Sequence, residues 1–309
     1  MKTGAIILAA NASSLNKDYM NKEYLGSLTM EERVILNFQR GGVDEIVMVT
    51  GYEAKNVEKR LQHYGITFLR NHAYETAEML DSVKMGLEYL QNRCEKILIC
   101  PAKVSFFVED TVGKILNTDA PLVLPVFNGR AGHPVCIRSE LIPGILQYCG
   151  DGGLKGALQS MQIVPLHLDT NDEGTRKEQY LDDSMERLAK RHNETLMRPM
   201  ITVQLAKKKP FLGGETMNLL KLIGHTESVK EACLKAGISY SKGWNVIHDA
   251  EEELGYSIVE RKQGGKSGGE ARLTEKALKL MDLFETYEKE VLKVSEQLYE
   301  KMLKNSELL

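Results

Sequence analysis

The sequence predicts two units of different class. Residues 1–195 read as an α/β domain on a mostly parallel sheet, and residues 196–309 as a winged helix-turn-helix with a long C-terminal helix. Three observations predict this. Short apolar runs alternate with helical patterns as far as the stretch around Thr170. The polar segment that follows, Thr170–Glu178, ends the alternation. Beyond it, a helix, a helix-turn-helix and a glycine-rich hairpin come in that order. A length of 309 residues agrees with two domains of about 150 each.

Ala5–Ala10 is a short apolar run that opens into a loop of small residues. Only Lys2 precedes it, and it is shorter than a signal-peptide core, so it reads as a buried strand. Met30–Phe38 has helical spacing, with Thr29 as N-cap and Gly41-Gly42 as the stop. Glu45–Thr50 reads as strand, Val57–His63 as helix, Ile66–Leu69 as strand and Met79–Leu90 as helix. Lys96–Cys100 is a further strand, Val108–Leu116 a helix and Leu122–Val126 extended. Strands separated by helices imply parallel crossovers, and ligands on such sheets sit at the carboxyl ends of strands. The connection Asn11–Leu28 is long for a compact domain, as functional loops often are. A short helix over Leu181–Ala189 leads to the boundary near residue 195.

Composition narrows the classes. The chain is 42% hydrophobic and 27% charged, with net charge −3 and pI near 6.2. Those values exclude a disordered chain and a uniformly basic nucleic-acid coat. Cys94, Cys100, Cys136, Cys149 and Cys233 are odd in number and scattered, so neither a disulfide framework nor a zinc site is expected. Reduced thiols, a cytoplasmic location and no membrane partner follow as expectations, since no apolar run approaches the roughly 20 residues of a membrane helix.

In the second unit, Met200–Leu205 alternates like an edge strand, Glu215–Ile223 is helical and stops at Gly224, and Thr226–Lys235 is helical and stops at Gly237. Ser239–Leu254 forms the next helix, with Ser239 as its cap. Gly243, Ile247, Ala250 and Leu254 form a stripe that faces a core. Ser241, Lys242, Asn245 and His248 lie off that stripe and suit base edges and phosphates. Lys242 and Asn245 are the candidates for reading bases. Ser257–Lys262 and Ala271–Leu273 flank the tip Gln263–Glu270, whose Arg261, Lys262, Lys266 and Arg272 suit the sugar-phosphate backbone. Lys207-Lys208-Lys209 adds positive charge.

Gly237-Ile-Ser-Tyr-Ser-Lys-Gly-Trp244, Glu253-Leu-Gly255, the wing and Ala271-Arg-Leu-Thr274 together resemble the DNA-binding domain of ModE-type molybdate-responsive regulators, a relative of the LysR-type winged helix. The resemblance runs from about Met200 to Glu290. It implies a homodimeric transcription regulator whose partner is double-stranded DNA. That family often carries molybdate-binding modules after the winged helix; with Leu309 as the last residue here, none is expected. Leu280, Phe284, Tyr287, Val291, Val294 and Leu298 are spaced 4-3-4-3-4, as in a coiled-coil seam between two copies, and Met302 follows four residues later. Such a dimer presents two recognition helices to one palindromic site.

In the first unit, Gly4–Ser14, Met79-Leu-Asp-Ser-Val-Lys-Met-Gly86, Gly132-His-Pro134 and Gly150-Asp-Gly-Gly153, in this order, resemble the MobA-like nucleotidyltransferases over roughly residues 3 to 170. The closest type transfers a cytidylyl or guanylyl group to molybdopterin. The chemical positions depart from that pattern. Where the family's loop reads L-A-A-G-x-S-S-R-M-G, Asn11 replaces the first glycine, Leu15 the arginine, Asn16 the methionine and Lys17 the second glycine. Met20 takes the place of the following lysine, with Lys22 close by. Lys103 stands where the resemblance places a magnesium-holding aspartate, and no later aspartates are evident in Gly174-Thr-Arg-Lys-Glu. A protonated lysine repels a metal that nucleotidyl transfer needs.

The expectation is therefore a degenerate nucleotidyltransferase serving as sensor or scaffold. Ala9, Ala10, Asn11, Ser13, Ser14, Lys22 and Lys103 are candidates for holding an anion, with His133 and Asp151 in a retained ligand pocket. The implied ligand is a nucleotide, molybdopterin or a molybdate-related oxyanion. The alternative is an active molybdenum cofactor cytidylyltransferase using Mg2+ and a nucleoside triphosphate, with an appended DNA-binding domain. A third is an interaction protein with neither site active.

Overall fold

The computed structural model describes residues 2–10, 28–176, 184–194, 199, 201–262 and 270–304. Its chain divides into two compact units, Met1–Lys59 with Ile66–Thr195, and Arg60–Gly65 with Leu196–Leu309.

The first unit is built on one mixed sheet. Its strands are β1 (Thr3–Ala9), β2 (Glu45–Thr50), β3 (Thr67–Arg70), β4 (Lys96–Pro101), β5 (Leu122–Phe127), β6 (Arg130–Ala131), β7 (Val135–Arg138) and β8 (Leu166–Asp169). They run in the order β3-β2-β1-β4-β7-β5-β6, with β8 beside β5. The first four are parallel to one another, and β7 enters antiparallel between β4 and β5. Residues 4–9 of β1 are all buried, which is why this strand reads as a continuous apolar run rather than an alternating one.

Helices α1 (Met30–Arg40), α2 (Ala54–Leu61), α3 (Met79–Leu90) and α4 (Glu109–Asn117) supply the crossovers. Thr29 does cap α1: its hydroxyl accepts from the Glu32 amide, and the Glu32 carboxylate accepts from the Thr29 amide. α3 crosses the sheet so closely that a Cβ on Gly86 would lie 2.7 Å from Ile6. That approach accounts for the glycine in the middle of a helix.

Several elements go beyond the sequence reading. β6, β7, β8, α5 (Ile142–Gln147) and α6 (Gly153–Ser160) were not legible as a pattern. α5 and α6 are only six and eight residues long, and Pro143-Gly144 and Gly153 read in sequence as turn signals, although proline is well tolerated in the first helical turn it occupies here. Burial of Ile142, Ile145, Ala157 and Leu158 holds them. α7 (Ser184–Glu194) ends later than the short helix expected over Leu181–Ala189, whose first three residues lie outside the described residues.

In the second unit the strand expected over Met200–Leu205 is, among the described residues 201–205, only the start of β9 (Leu205–Ala206), paired with β10 (Pro210–Leu212). α8 (Gly214–Thr226) runs through Gly224 instead of stopping there, and ends where Glu227 turns left-handed at φ 50. α9 (Val229–Ala236) is capped by Ser228. α10 (Tyr240–Leu254) follows a turn at Gly237, whose φ of 63 suits glycine. β11 (Val259–Lys262) and β12 (Glu270–Leu273) form the antiparallel wing, and α11 (Glu275–Tyr299) closes the unit.

Cys94, Cys100, Cys136 and Cys233 are buried and Cys149 is exposed, all as free thiols. Burial pushes the Cys94 and Cys136 thiols up to about 12 and Cys100 well above its ordinary value. Alkylation of the native protein at pH 8 is therefore expected to label Cys149 within minutes and those three only on unfolding. Rapid loss of a second thiol, mapped to Cys94, Cys100 or Cys136, would contradict that burial.

No helix among the described residues is long and apolar enough to cross a membrane.

Candidate functional site

The carboxyl ends of β1 and β4 meet where the sheet predicts a ligand. Ala9 and Ala10 are buried there, and the Ala10 carbonyl accepts the Tyr52 amide at 2.9 Å. Asn11, Ser13, Ser14 and Lys22 lie outside the described residues, as do Leu15, Asn16, Lys17 and Met20. Lys103 sits half-buried in the turn after β4, between the buried Ala102 and Val104. This turn is anchored at 3.0 Å by the Ala102 amide to Leu8 and by the Val104 amide to Pro101.

The described residues at this position do not fit a magnesium ion. Lys103 brings a cation to it, and no group of three or more His, Cys, Asp or Glu among the described residues is placed to hold a metal.

The segment after Lys103 is fastened from three sides. Asn37 of α1 donates its side-chain amide to the Ser105 carbonyl at 3.2 Å. Arg33, fully buried, lies 5.4 Å over the Phe106 ring and places Nη1 2.9 Å from Nδ1 of His192 on α7. A guanidinium only donates, so Nδ1 accepts and the His192 proton sits on Nε2, which donates to Asn37 Oδ1 at 3.0 Å. Arg33 also donates to Asn193 at 2.6 Å.

The third fastening is Asp172, which is 3% exposed. Its carboxylate accepts from the Val108 amide at 2.9 Å, the Thr111 hydroxyl at 2.7 Å and the Gly174 amide at 2.9 Å. An aspartate thus does stand near the end of the domain, inside a stretch read from the sequence only as polar. Both of its oxygens are engaged in holding the chain.

His133 and Asp151 fall elsewhere. The His133 amide donates to the Thr175 carbonyl at 2.8 Å, and the peptide bond to Pro134 is cis. Asp151 is exposed in a glycine turn before α6, and its carbonyl accepts the Tyr148 hydroxyl at 2.6 Å. A cavity of about 430 Å³ opens near the His133 contact, lined by Phe127, Asn128, Arg130, Glu173 and Arg176. Neither Lys103, His133 nor Asp151 lines it. The sequence reading missed this cavity, although Asn128-Gly129 between two extended runs is a strong signal for a tight hairpin. Both residues take positive φ, 49 and 73.

In the second unit the helix-turn-helix is close-packed at its crossing. A Cβ on Gly243 would stand 2.2 Å from the Cys233 sulfur. Gly243, Ile247, Ala250 and Glu253 of α10 are buried, while Leu254 is half-buried, so the expected stripe is completed by a carboxylate. Glu253 accepts the Lys208 amide at 3.3 Å, and the Lys207 ammonium donates to its carbonyl. Lys209 pairs with Asp249 at 2.6 Å. Lys207 and Lys209 are therefore tied to α10.

Ser239, Ser241, Lys242, Asn245 and His248 are all exposed. Ser239 accepts the Lys242 amide at 3.1 Å as the cap. Lys242 pairs with Glu215 of α8, and Arg272 lies 3.3 Å from Glu227. Arg261 and Lys262 sit on β11, and Lys266 lies outside the described residues.

The apolar spacing of α11 divides between two environments. Phe284 is buried, and Leu280 and Val291 are half-buried, whereas Tyr287, Val294, Leu298 and Met302 are exposed. Leu283, outside the expected seam, is 67% exposed.

The first unit is thus an α/β domain of the nucleotidyltransferase type, and a helix-turn-helix with a hairpin lies in the second. Residues 5–165 match the MobA-like NTP transferase domain, and the chain belongs to that family. A nucleotidyl transferase from Methanothermobacter thermautotroptrophicus shares the fold, with a TM-score of 0.51 at 18% identity over 63% of this chain and 99% of that one.

The C-terminal region matches molybdenum-linked regulators. The transcriptional regulator ModE of Yersinia pestis is 38% identical over 90 residues, 28% of this chain and 34% of that protein. The DNA-binding transcriptional dual regulator ModE of Escherichia coli (strain K12) is 34% identical over 86 residues, 28% of this chain and 32% of that protein. The molybdenum-pterin-binding protein MopB of Rhodobacter capsulatus is 34% identical over 83 residues, 27% of this chain and 31% of that one. This chain spans about a third of the length of these relatives.

Proposed function

We propose that the protein is a DNA-binding transcription regulator linked to molybdenum metabolism. In this reading residues 196–309 bind duplex DNA as a homodimer. Residues 1–195 are a degenerate nucleotidyltransferase domain retained as a sensor. The observation that carries it is α10. Its Gly243, Ile247 and Ala250 are buried, while Ser241, Lys242 and Asn245 are presented to solvent behind a helix-turn-helix. The ion pair of Lys242 with Glu215 is exposed and worth at most about 1 kcal/mol, so a phosphate can displace it. Lys103 after β4 supports loss of transfer chemistry.

The test is titration of duplexes, including the protein's own upstream region, at several salt concentrations, read by anisotropy of labelled DNA and by emission of Trp244. Asn245→Ala is expected to cost about 1–3 kcal/mol on the cognate duplex and little on random DNA. Lys266→Ala is expected to weaken all duplexes alike and to lower the salt slope by about one unit. Flat signals at low salt would overturn the DNA-binding reading. In parallel, CTP or GTP with molybdopterin and magnesium is expected to release no pyrophosphate. Turnover near 1 per second, within the ordinary enzyme range of about 1–1000, would favour an active transferase.

A further inference from the structure

We propose that the cavity between the Asn128-Gly129 hairpin and the Glu173–Arg176 turn is a binding site for a tetrahedral dianion, and that Glu173 links its occupancy to helix α7. This deepens the reading of the first unit as a sensor and rests on it. The cavity's volume of about 430 Å³ suits a small ligand, for which sites run about 300–1,000 Å³. Its lining sets two guanidiniums, Arg130 and Arg176, against one carboxylate, Glu173. That carboxylate is already shared. It lies 3.3 Å from Arg176 and accepts from Arg187 of α7 at 2.7 and 2.9 Å. Arg130, at the start of β6, makes no ion pair among the described residues. It faces Phe127 across the hairpin register.

Arginine pairs recognise tetrahedral oxyanions through paired N–H donors, and a dianion between Arg130 and Arg176 competes with Glu173 for the Arg176 guanidinium. The displaced carboxylate is left to Arg187. Anion binding and the Glu173–Arg187 pair therefore strengthen each other, because linkage is reciprocal. Arg187 lies on the helix from which the chain passes into the second unit.

The experiment is calorimetric titration of the full chain with sodium molybdate, sodium phosphate and CMP, each at constant ionic strength in chloride, without DNA. At least one of the three is expected to bind at submillimolar concentration. Tighter molybdate identifies a free oxyanion as the ligand, and tighter CMP a phosphomonoester. Arg130→Gln, an exposed hairpin change that leaves the fold intact by circular dichroism, is expected to weaken binding at least tenfold. Glu173→Gln removes the competing carboxylate and is expected to tighten it severalfold. Arg187→Ala, outside the cavity, is expected to weaken binding severalfold in the parent but not in the Glu173→Gln background. Absence of binding by all three probes, or equal affinity in Arg130→Gln, would overturn the site. An Arg187→Ala effect of the same size in both backgrounds would overturn the link. Because these titrations contain no DNA, their failure is separable from failure of the duplex titration.

Discussion

A protein carrying Val294→Asp and Leu298→Asp is expected to sediment as a monomer at micromolar concentration, while the parent sediments as a dimer. Operator affinity should fall with it by more than a hundredfold. Val294 and Leu298 are 48% and 50% exposed on α11, a helix of 25 residues. With Leu283 and Tyr287 they make an apolar strip that a second copy would cover in the proposed dimer. Each aspartate would place a charge in that interface, and burial of an unpaired charge costs several kcal/mol. Two such changes per chain, doubled by symmetry, exceed what a seam of this length supplies. The loss on DNA follows because two linked half-site contacts gain about 10²–10⁴ over one. Val291, an equivalent seam position by spacing, is half-buried and so a poorer test. An unchanged sedimentation coefficient would place the contact between copies elsewhere, with the N-terminal units as the next candidates.

The second large effect is expected at Asp172. Replacement by alanine removes the acceptor of two backbone amides and one hydroxyl in a place that water does not reach. Unpaired buried donors cost about 1–3 kcal/mol each, partly recovered by relaxation, so a loss of about 3 kcal/mol is expected. For a unit of this size that is a fall in Tm of roughly 6–12 °C. Asp172→Asn should do nearly as much damage. One carboxylate oxygen accepts from Gly174 and the other from Val108 and Thr111, so an amide NH2 meets a donor in either orientation. Melting within 1 °C of the parent for both variants would show that the segment after Lys103 is held without Asp172.

The strands β1 to β4 were legible because each is a buried apolar run followed by a helical period, and that pattern is a direct image of burial in a parallel sheet, whereas β5, followed by a hairpin, was legible only as an extended apolar run. The helix-turn-helix was legible for a different reason. Gly237 at the turn, Ser239 at the cap and the spacing of Gly243, Ile247 and Ala250 are local requirements that the chain writes into itself. The two family resemblances, and the substitution of Lys103 at a metal position, likewise needed only the order of residues.

Tertiary structure alone decided the rest. β7 and α5 are held by burial against partners distant in sequence, and short segments with proline or glycine carry no periodic trace of that. The Arg33–His192–Asn37 network and the carboxylate of Asp172 bring together residues more than sixty positions apart, so no spacing announces them. The heptad spacing of α11 is regular along the chain, yet burial of Phe284 within a single copy divides it, since which face of a helix is covered depends on what folds against it. The arginine cavity combines a hairpin and a turn some forty residues apart, and only their packing sets Arg130, Glu173 and Arg176 around one space.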